Sequence, residues 1–434
     1  MKGKMKRKML AEELKNIDVN DDSDVIVCGA GPAGVAAAVT AARAGAKVRL
    51  IEMRGCLGGV WTAGLLAWVF EMDQPGFAME IGKLLDARKA RIGGDYYRYS
   101  YDIEAMKLLC EDLCLDAGVK LRLHTKLASA FTKDGRLNAV VTESKSGREA
   151  WSAKTFIDCT GDGDLGAFAN CGFDMGGPEG QMQPWTFMAL IVVKDVEKVK
   201  EFIYHYKGSG PCSETQEGLK KALLSVGIET SYGHPTIFQV KDNLLALMIN
   251  HQYGVSAINA NDLTKATISG RAEVNKVVNG FRKLGGGWEG VILASTAEQI
   301  GIREGRRIHG LYKLTREDLM AGSTFEDGTC RVSFNVDIHS PDPKKDKALK
   351  TEKVKPYQIP YRSLVAKDVK GLLMAGRCIS GDWIAHASYR VTGSAVAMGE
   401  AAGAAAALSS KTGKLPEQLD WKDISKVIEN ARRE

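Results

Sequence analysis

The chain has 434 residues, 44% hydrophobic and 26% charged, an ordinary globular mix with enough length for two lobes and a large core. A net charge of +6 over this length does not call for nucleic acid as a partner, though a basic balance suits an anionic ligand. No stretch stays apolar for the roughly eighteen residues a membrane span needs, and the 9 cysteines, odd in number and without C-x-x-C spacing, read as reduced thiols.

Residues 1–22 begin with Lys2, Lys4, Lys6, Arg7 and Lys8 and continue with polar AEELKNIDVN, not with the apolar run of a secretory signal. They read as the flexible basic tail of a cytoplasmic protein. Asp24-Val-Ile-Val-Cys28 is a short apolar run, expected to be a buried strand. The turn Gly29-Ala30-Gly31-Pro32-Ala33-Gly34 follows, then an alanine-rich helix to Ala44 that Gly45 ends. Lys47-Val-Arg-Leu-Ile51 is a second strand closed by Glu52. Each residue has a physical role in gripping a dinucleotide. Gly29 allows the tight turn, Gly31 lets bare backbone approach a pyrophosphate, and Gly34 permits close helix–strand packing. The helix N-terminus faces the phosphates with free N–H groups, and Glu52 accepts from ribose hydroxyls, which disfavours a 2′-phosphate.

Three later segments point to FAD rather than NAD. Met53 and Arg54 lead into Gly-Cys-Leu-Gly58-Gly59-Val-Trp-Thr62, where paired glycines let the chain pass close to a ribityl–phosphate region. Phe156-Ile-Asp158 ends in the acidic glycine turn Cys159-Thr160-Gly161-Asp162-Gly163-Asp164. Gly371-Leu-Leu-Met-Ala375-Gly376-Arg377 precedes a loop carrying Asp382, a candidate for a ribityl hydroxyl. A helix of small residues from Thr392 to Ala407 follows, able to pack backbone to backbone and to aim its N-terminus at a flavin ring.

Together GAGPAG with Glu52, LGGVWT, FIDCTGDGDL, IGIREGRRIHGLYKLTREDL, IPYRSLV and LLMAGRCISGDWIAHASYRVTGSAVAMGEAAG resemble the FAD-dependent oxidoreductase family. This family of two-dinucleotide-binding-domain flavoproteins is related to fumarate reductase and succinate dehydrogenase flavoproteins. The resemblance runs from about residue 24 to about residue 408 and is weakest over residues 180–290. It implies an α/β fold: a Rossmann-like FAD-binding domain of glutathione-reductase type with an inserted α+β substrate domain. The organisation read from it is a tail at 1–22, FAD-binding segments at 23–180, 291–318 and 356–410, a substrate or cap domain at 181–290, its return with a charged surface loop at 319–355, and a C-terminal helix or tail at 411–434. Residues 291–318 are expected to form a long helix carrying Arg303, Glu304, Arg306 and Arg307 on one face. Residues 120–154 read as hairpin strands turning at Asp134-Gly135 and Ser146-Gly147.

The resemblance also places the loop His386-Ala-Ser-Tyr389-Arg390 beside the isoalloxazine ring. Relatives carry a His and an Arg four apart there, the Arg holding a substrate carboxylate. Carried over, Arg390 would clamp an anion bidentately, and His386 or Tyr389 would serve as acid or base. The motif departs from the relatives in having Ala-Ser-Tyr after the His. The histidines show no metal spacing, and no second fingerprint marks a nicotinamide domain. The expected activity is hydride transfer between a small polar or anionic substrate and flavin N5. The alternatives are a flavoprotein monooxygenase or hydroxylase, or an electron-transfer subunit without its own substrate. The reading leaves room for a homodimer.

Overall fold

A computed structural model of the chain describes residues 16–206, 212–344 and 350–433. At its centre is a five-stranded parallel sheet in the order Leu372–Met374, Thr155–Asp158, Val25–Cys28, Val48–Ile51, Lys120–Arg122. Val25–Cys28 lies in the middle, and all four of its residues are buried. This is why it reads as an unbroken apolar run rather than an alternating one. Helix Pro32–Arg43 makes the crossover to Val48–Ile51, and helix Thr392–Thr412 packs against it. The second helix is nearly all small residues because the two backbones almost touch. A Cβ added at Gly399 would fall 2.2 Å from the Ala33 carbonyl oxygen, and one at Gly403 2.3 Å from that of Ala37.

The expected hairpins form as Lys126–Lys133, Arg136–Ser144 and Gly147–Ser152, with Asp134 and Gly135 both at positive φ in the first turn. Residues 1–15 of the expected tail lie outside the described residues. The rest of it is anchored rather than free: Val19–Asn20 pairs in parallel with Ala150–Trp151, and Asp22 meets Arg49 and Lys120.

A second, antiparallel sheet has the order Thr236–Lys241, Leu244–Met248, Ala189–Val192, Ile292–Thr296. Helix Ala260–Leu284 covers it through a buried stripe of Ala266, Gly270, Val274, Val277, Val278 and Phe281, spaced as one face of an amphipathic helix. The chain is thus a mixed α/β fold built on a parallel sheet. No single helix among the described residues is long and apolar enough to cross a membrane.

Two expectations fail here. Residues 291–318 do not form a long helix. They run as strand Ile292–Thr296, an extended stretch, strand Arg306–Ile308 and a short helix, Arg316–Ala321. Their backbone groups find partners far away in sequence: Gly301 pairs with Thr186, Ile308 N donates to Cys378 O and His309 N to Gly172 O. Arg303, Glu304, Arg306 and Arg307 therefore do not share a helix face. The charged loop expected within 319–355 is also not all surface. Residues 345–349 lie outside the described residues, but Lys350–Glu352 pairs with Val336–Ile338, and His339 is buried.

Candidate functional site

The C-terminal edge of the parallel sheet carries a cradle made of glycines. Gly29, at φ +93°, turns the chain out of Val25–Cys28, and a Cβ there would lie 2.5 Å from the Cys159 carbonyl oxygen. A Cβ at Gly34 would lie 1.9 Å from the Gly29 carbonyl oxygen, so helix and turn are in backbone contact. Gly31 is different: a Cβ there meets nothing within 4 Å. It leaves open ground before the N-terminus of Pro32–Arg43, where free N–H groups and the positive dipole end favour an anion.

The other glycine turns converge on this point. Gly58 N donates to Ala30 O, and Gly59, at φ +53°, would put a Cβ 2.9 Å from the Gly31 Cα. Gly376, at φ +89°, lies against Ala33. Gly161, at φ +82°, lies against the Arg377 guanidinium, which pairs with Asp162 at 3.1 Å and donates to Ile302 O at 2.7 Å. The Thr160 hydroxyl donates to Asp158 Oδ1 and receives the Asp164 N–H. Asp158 is fully buried, and burial pushes its carboxyl up to about 6. Glu52 ties two turns together: Oε2 accepts Ala30 N at 2.7 Å and Oε1 accepts Arg54 N at 2.9 Å. Each oxygen keeps a further lone pair for a sugar hydroxyl. Met53 is exposed beside it, and the Arg54 side chain reaches Gln299 at 2.7 Å.

A polar cluster fills the space between this lobe and the antiparallel sheet. Glu304, with no exposed surface, accepts Gln183 N at 2.5 Å and the Trp383 indole N–H at 2.8 Å. Arg303 donates to Pro184 O and the Thr186 hydroxyl. Arg390 follows helix Trp383–Tyr389 and donates to Asp337 O at 2.7 Å and to Gln183 Oε1 at 3.3 Å, with Asp337 Oδ2 at 3.4 Å. His339 Nε2 lies 3.2 Å from the same Oδ2, and its backbone N–H donates to Gln183 Oε1. Burial pushes Arg390 down to about 10, partly offset by Asp337. Burial raises Asp337, but the charges of His339, Arg390 and Arg303 outweigh it and leave the carboxyl well below the usual range. Burial and Arg303 push His339 down to about 4, against the pull of Asp337.

The chain matches the model of the FAD dependent oxidoreductase family over residues 24–428. It belongs to that family. FAD is therefore its cofactor, and the cradle fits it: a diphosphate needs the bare ground at Gly31, a ribose needs an acceptor such as Glu52, and both are present. Among curated proteins, this flavoenzyme is 34% identical over 120 residues to thiamine thiazole synthase of Aeropyrum pernix, covering 27% of this chain and 43% of that one. It is 38% identical over 96 residues to urocanate reductase of Eggerthella lenta, covering 21% of this chain and 15% of that one. The chain thus matches less than half the length of either relative. Among solved structures it is similar to a geranylgeranyl bacteriochlorophyll reductase-like protein of Thermoplasma acidophilum (TM-score 0.48, 12% identity, 96% of this chain and 85% of that one). It is also similar to p-nitrophenol 4-monooxygenase of Pseudomonas putida (TM-score 0.47, 12% identity, 95% and 85%).

Within the flavoenzyme, Gly29 to Gly34, Glu52, Gly58, Gly59, Thr160 to Asp162, Gly376 and Arg377 come together around one helix terminus. Asp382 takes a structural part in the fold. Its Oδ1 caps helix Trp383–Tyr389 by accepting Ala385 N, and its Oδ2 accepts Arg316 N. Tyr389 is not an available acid: it is fully buried, its hydroxyl donates to Ile379 O at 3.1 Å, and burial pushes it far up. His386 is sealed in the core. Neither ring nitrogen has a hydrogen-bond partner among the described residues. Burial holds its pKa well below the usual histidine range, helped by Arg307, Arg390 and Arg377, while the Arg377 backbone works the other way. His339, Asp337 and Gln183 were not found from sequence, because their distances in the chain from Arg390 and Glu304 follow no motif.

His386 should show in the acid stability of the protein. Its folded pKa is depressed, so below pH about 6.5 the unfolded chain binds a proton that the folded chain refuses, and stability falls as pH falls. His386→Leu removes that term. Its stability relative to wild type should rise by about 1.4 kcal/mol per pH unit from 6.5 downward. Urea melts of both proteins at pH 7 and pH 5 measure it; parallel losses in the two would refute the assignment.

Proposed function

We propose that the protein moves a hydride between a carbon of a small anionic organic substrate and the flavin, in a site formed where the glycine cradle meets the antiparallel sheet. In this reading the lobe is a Rossmann-like FAD domain of glutathione-reductase type, and residues 181–290 form an inserted α+β cap. The single observation that carries it is Arg390. It is a buried guanidinium at the entrance to helix Thr392–Thr412, held in place by Asp337 and Gln183, with Arg303 near enough to depress its pKa. Asp337 and Glu304 offset part of the charge of the two guanidinium groups, and Arg390 Nη1 makes only a long 3.5 Å hydrogen bond, to Arg303 O, which leaves it donor capacity for a further anion. A substrate carboxylate is a suitable anion, and Arg390 offers it a planar pair of donors.

FAD, when bound, supplies the hydride acceptor or donor at N5. The backbone at Gly31, with Glu52 and the turns at Gly58, Gly161 and Gly376, would hold it. Arg390 and Arg303 orient the substrate, and the Glu304–Gln183–Trp383 network fixes the walls and excludes water.

The test is anaerobic mixing of the holoenzyme with a panel of small hydroxy and amino carboxylates while the flavin spectrum is recorded. Bleaching without nicotinamide or oxygen supports the reading; turnover that requires NAD(P)H and oxygen and gives a hydroxylated product supports a monooxygenase instead. Arg390→Ala should slow bleaching by about 30- to 140-fold at low substrate concentration, since a hydrogen bond to a charged group contributes roughly 2–3 kcal/mol. An unchanged rate would remove Arg390 from the site.

A further inference from the structure

His339 is placed by the chain but has no part in the function above. It lies just after strand Val336–Ile338, is 5% exposed, and shares the Asp337 carboxylate with Arg390. The carboxylate fixes its tautomer. Nε2, at 3.2 Å from an ionised acceptor, carries the hydrogen, so Nδ1 carries the lone pair. Nδ1 is buried and has no hydrogen-bond partner among the described residues. The groups around the ring are Asp337, Arg303 and Arg390, together with His251 and Tyr232, whose ring centroids lie 5.0 and 5.8 Å away. The ring is therefore held by its carboxylate and its backbone, while one basic nitrogen is left unspent. His386, the histidine that the motif favours, has no such carboxylate among its hydrogen bonds.

We infer that His339 Nδ1 is the base of the reaction, taking the proton from the hydroxyl or amino group of a substrate whose anionic end is held by Arg390. This rests on the proposed hydride-transfer reading and gives it a direction and a substrate class: a small alcohol or amine that also carries a carboxylate. The balance closes. The substrate C–H bond yields a hydride to the oxidised flavin, the O–H or N–H bond yields its proton to Nδ1, and the electron pair left behind becomes the second bond of a C=O or C=N group. The substrate is oxidised by two electrons and the flavin reduced by two. Asp337 is a positioning residue that also favours the imidazolium formed in the step. Its pull on a charged ring offsets part of the burial and of the Arg303 charge that hold the histidine low.

Two measurements test this. The first needs no substrate: NMR of holoenzyme labelled with ¹⁵N-histidine, compared with His339→Gln to assign the ring. The inference expects a neutral ring at pH 7 with its hydrogen on Nε2, and loss of that fixed tautomer in Asp337→Asn. A ring protonated at pH 7, or with its hydrogen on Nδ1, overturns it. The second is the anaerobic panel of hydroxy and amino carboxylates. His339→Gln should cut the bleaching rate by about 100-fold or more and abolish its fall toward acid pH, with substrate affinity little changed, whereas His386→Leu should stay within a few-fold of wild type. If the panel bleaches wild type and His339→Gln at equal rates and with the same pH profile, the base is elsewhere but the hydride-transfer reading stands. If the panel bleaches neither and wild type turns over only with NAD(P)H and oxygen, both fall.

Discussion

Gly31→Val is expected to give a folded protein that does not retain FAD. The prediction follows from the contrast between two glycines three residues apart. At Gly31 φ is −70°, which any residue adopts, and a Cβ meets nothing within 4 Å, so the apo fold has no objection to a side chain. The objection comes from the ligand, because the pyrophosphate must rest on bare backbone at the helix terminus. Affinity should fall by at least about 100-fold, roughly 2.8 kcal/mol, while apo Gly31→Val melts within a few degrees of apo wild type. Gly34→Val should behave in the opposite way. Its Cβ would overlap the Gly29 carbonyl at 1.9 Å, so the fold itself fails before binding is tested. Circular dichroism and FAD titration on the two variants separate these outcomes. If Gly31→Val binds FAD as wild type does, the phosphates lie elsewhere.

Gly399→Val should be among the most destabilising single changes in the flavin lobe. Helix Thr392–Thr412 buries seventeen of its residues, and its partner Pro32–Arg43 is buried from Ala33 to Ala41. A side chain at Gly399 has nowhere to go: the Ala33 carbonyl oxygen stands 2.2 Å from its Cβ, and backbone cannot yield as a side chain can. The helices must separate, opening the packed interface on which the glycine turns at Gly59 and Gly376 also rest. The cost should exceed about 4 kcal/mol, the range reached only when a core is forced apart, and should appear as insoluble or molten protein. Leu408→Val, at a half-buried position on the same helix, is the control and should cost about 1 kcal/mol. A Gly399→Val protein with native spectra and a melting temperature near wild type would refute the close approach of the two helices.

What could be read from sequence depended on the range of the forces involved. The fingerprint was legible because its parts are local: strand, glycine turn, helix and acid follow one another within thirty residues, and each glycine answers to a turn or an approach nearby. The hairpin at Asp134-Gly135 was legible for the same reason. The segment 291–318 was misread because its charges suggested an exposed helix face. In the fold Arg307 is buried and donates from Nε to Gly381 O and from Nη2 to Gly176 O, and Glu304 receives hydrogen bonds from Gln183 and Trp383, at separations of 121 and 79 residues. Tertiary partners overrode local propensity there. The motif His386-x-x-x-Arg390 marked a stretch that the fold buries, but not the partners each side chain meets there. Whether a buried ring is held by a carboxylate, as His339 is by Asp337, or lacks one, as His386 does, depends on packing from strands and loops that no spacing rule connects.

The central claim is that Gly31 and Glu52, at the edge of the parallel sheet, hold FAD. The most direct measurement is to purify the wild-type protein, denature it, and identify and quantify the released chromophore against Gly31→Val prepared in parallel. The account predicts yellow wild-type protein that releases FAD in equal proportion to chain, and a colourless, folded variant. Folded wild-type protein that carries no flavin and takes up none when FAD is added would contradict it.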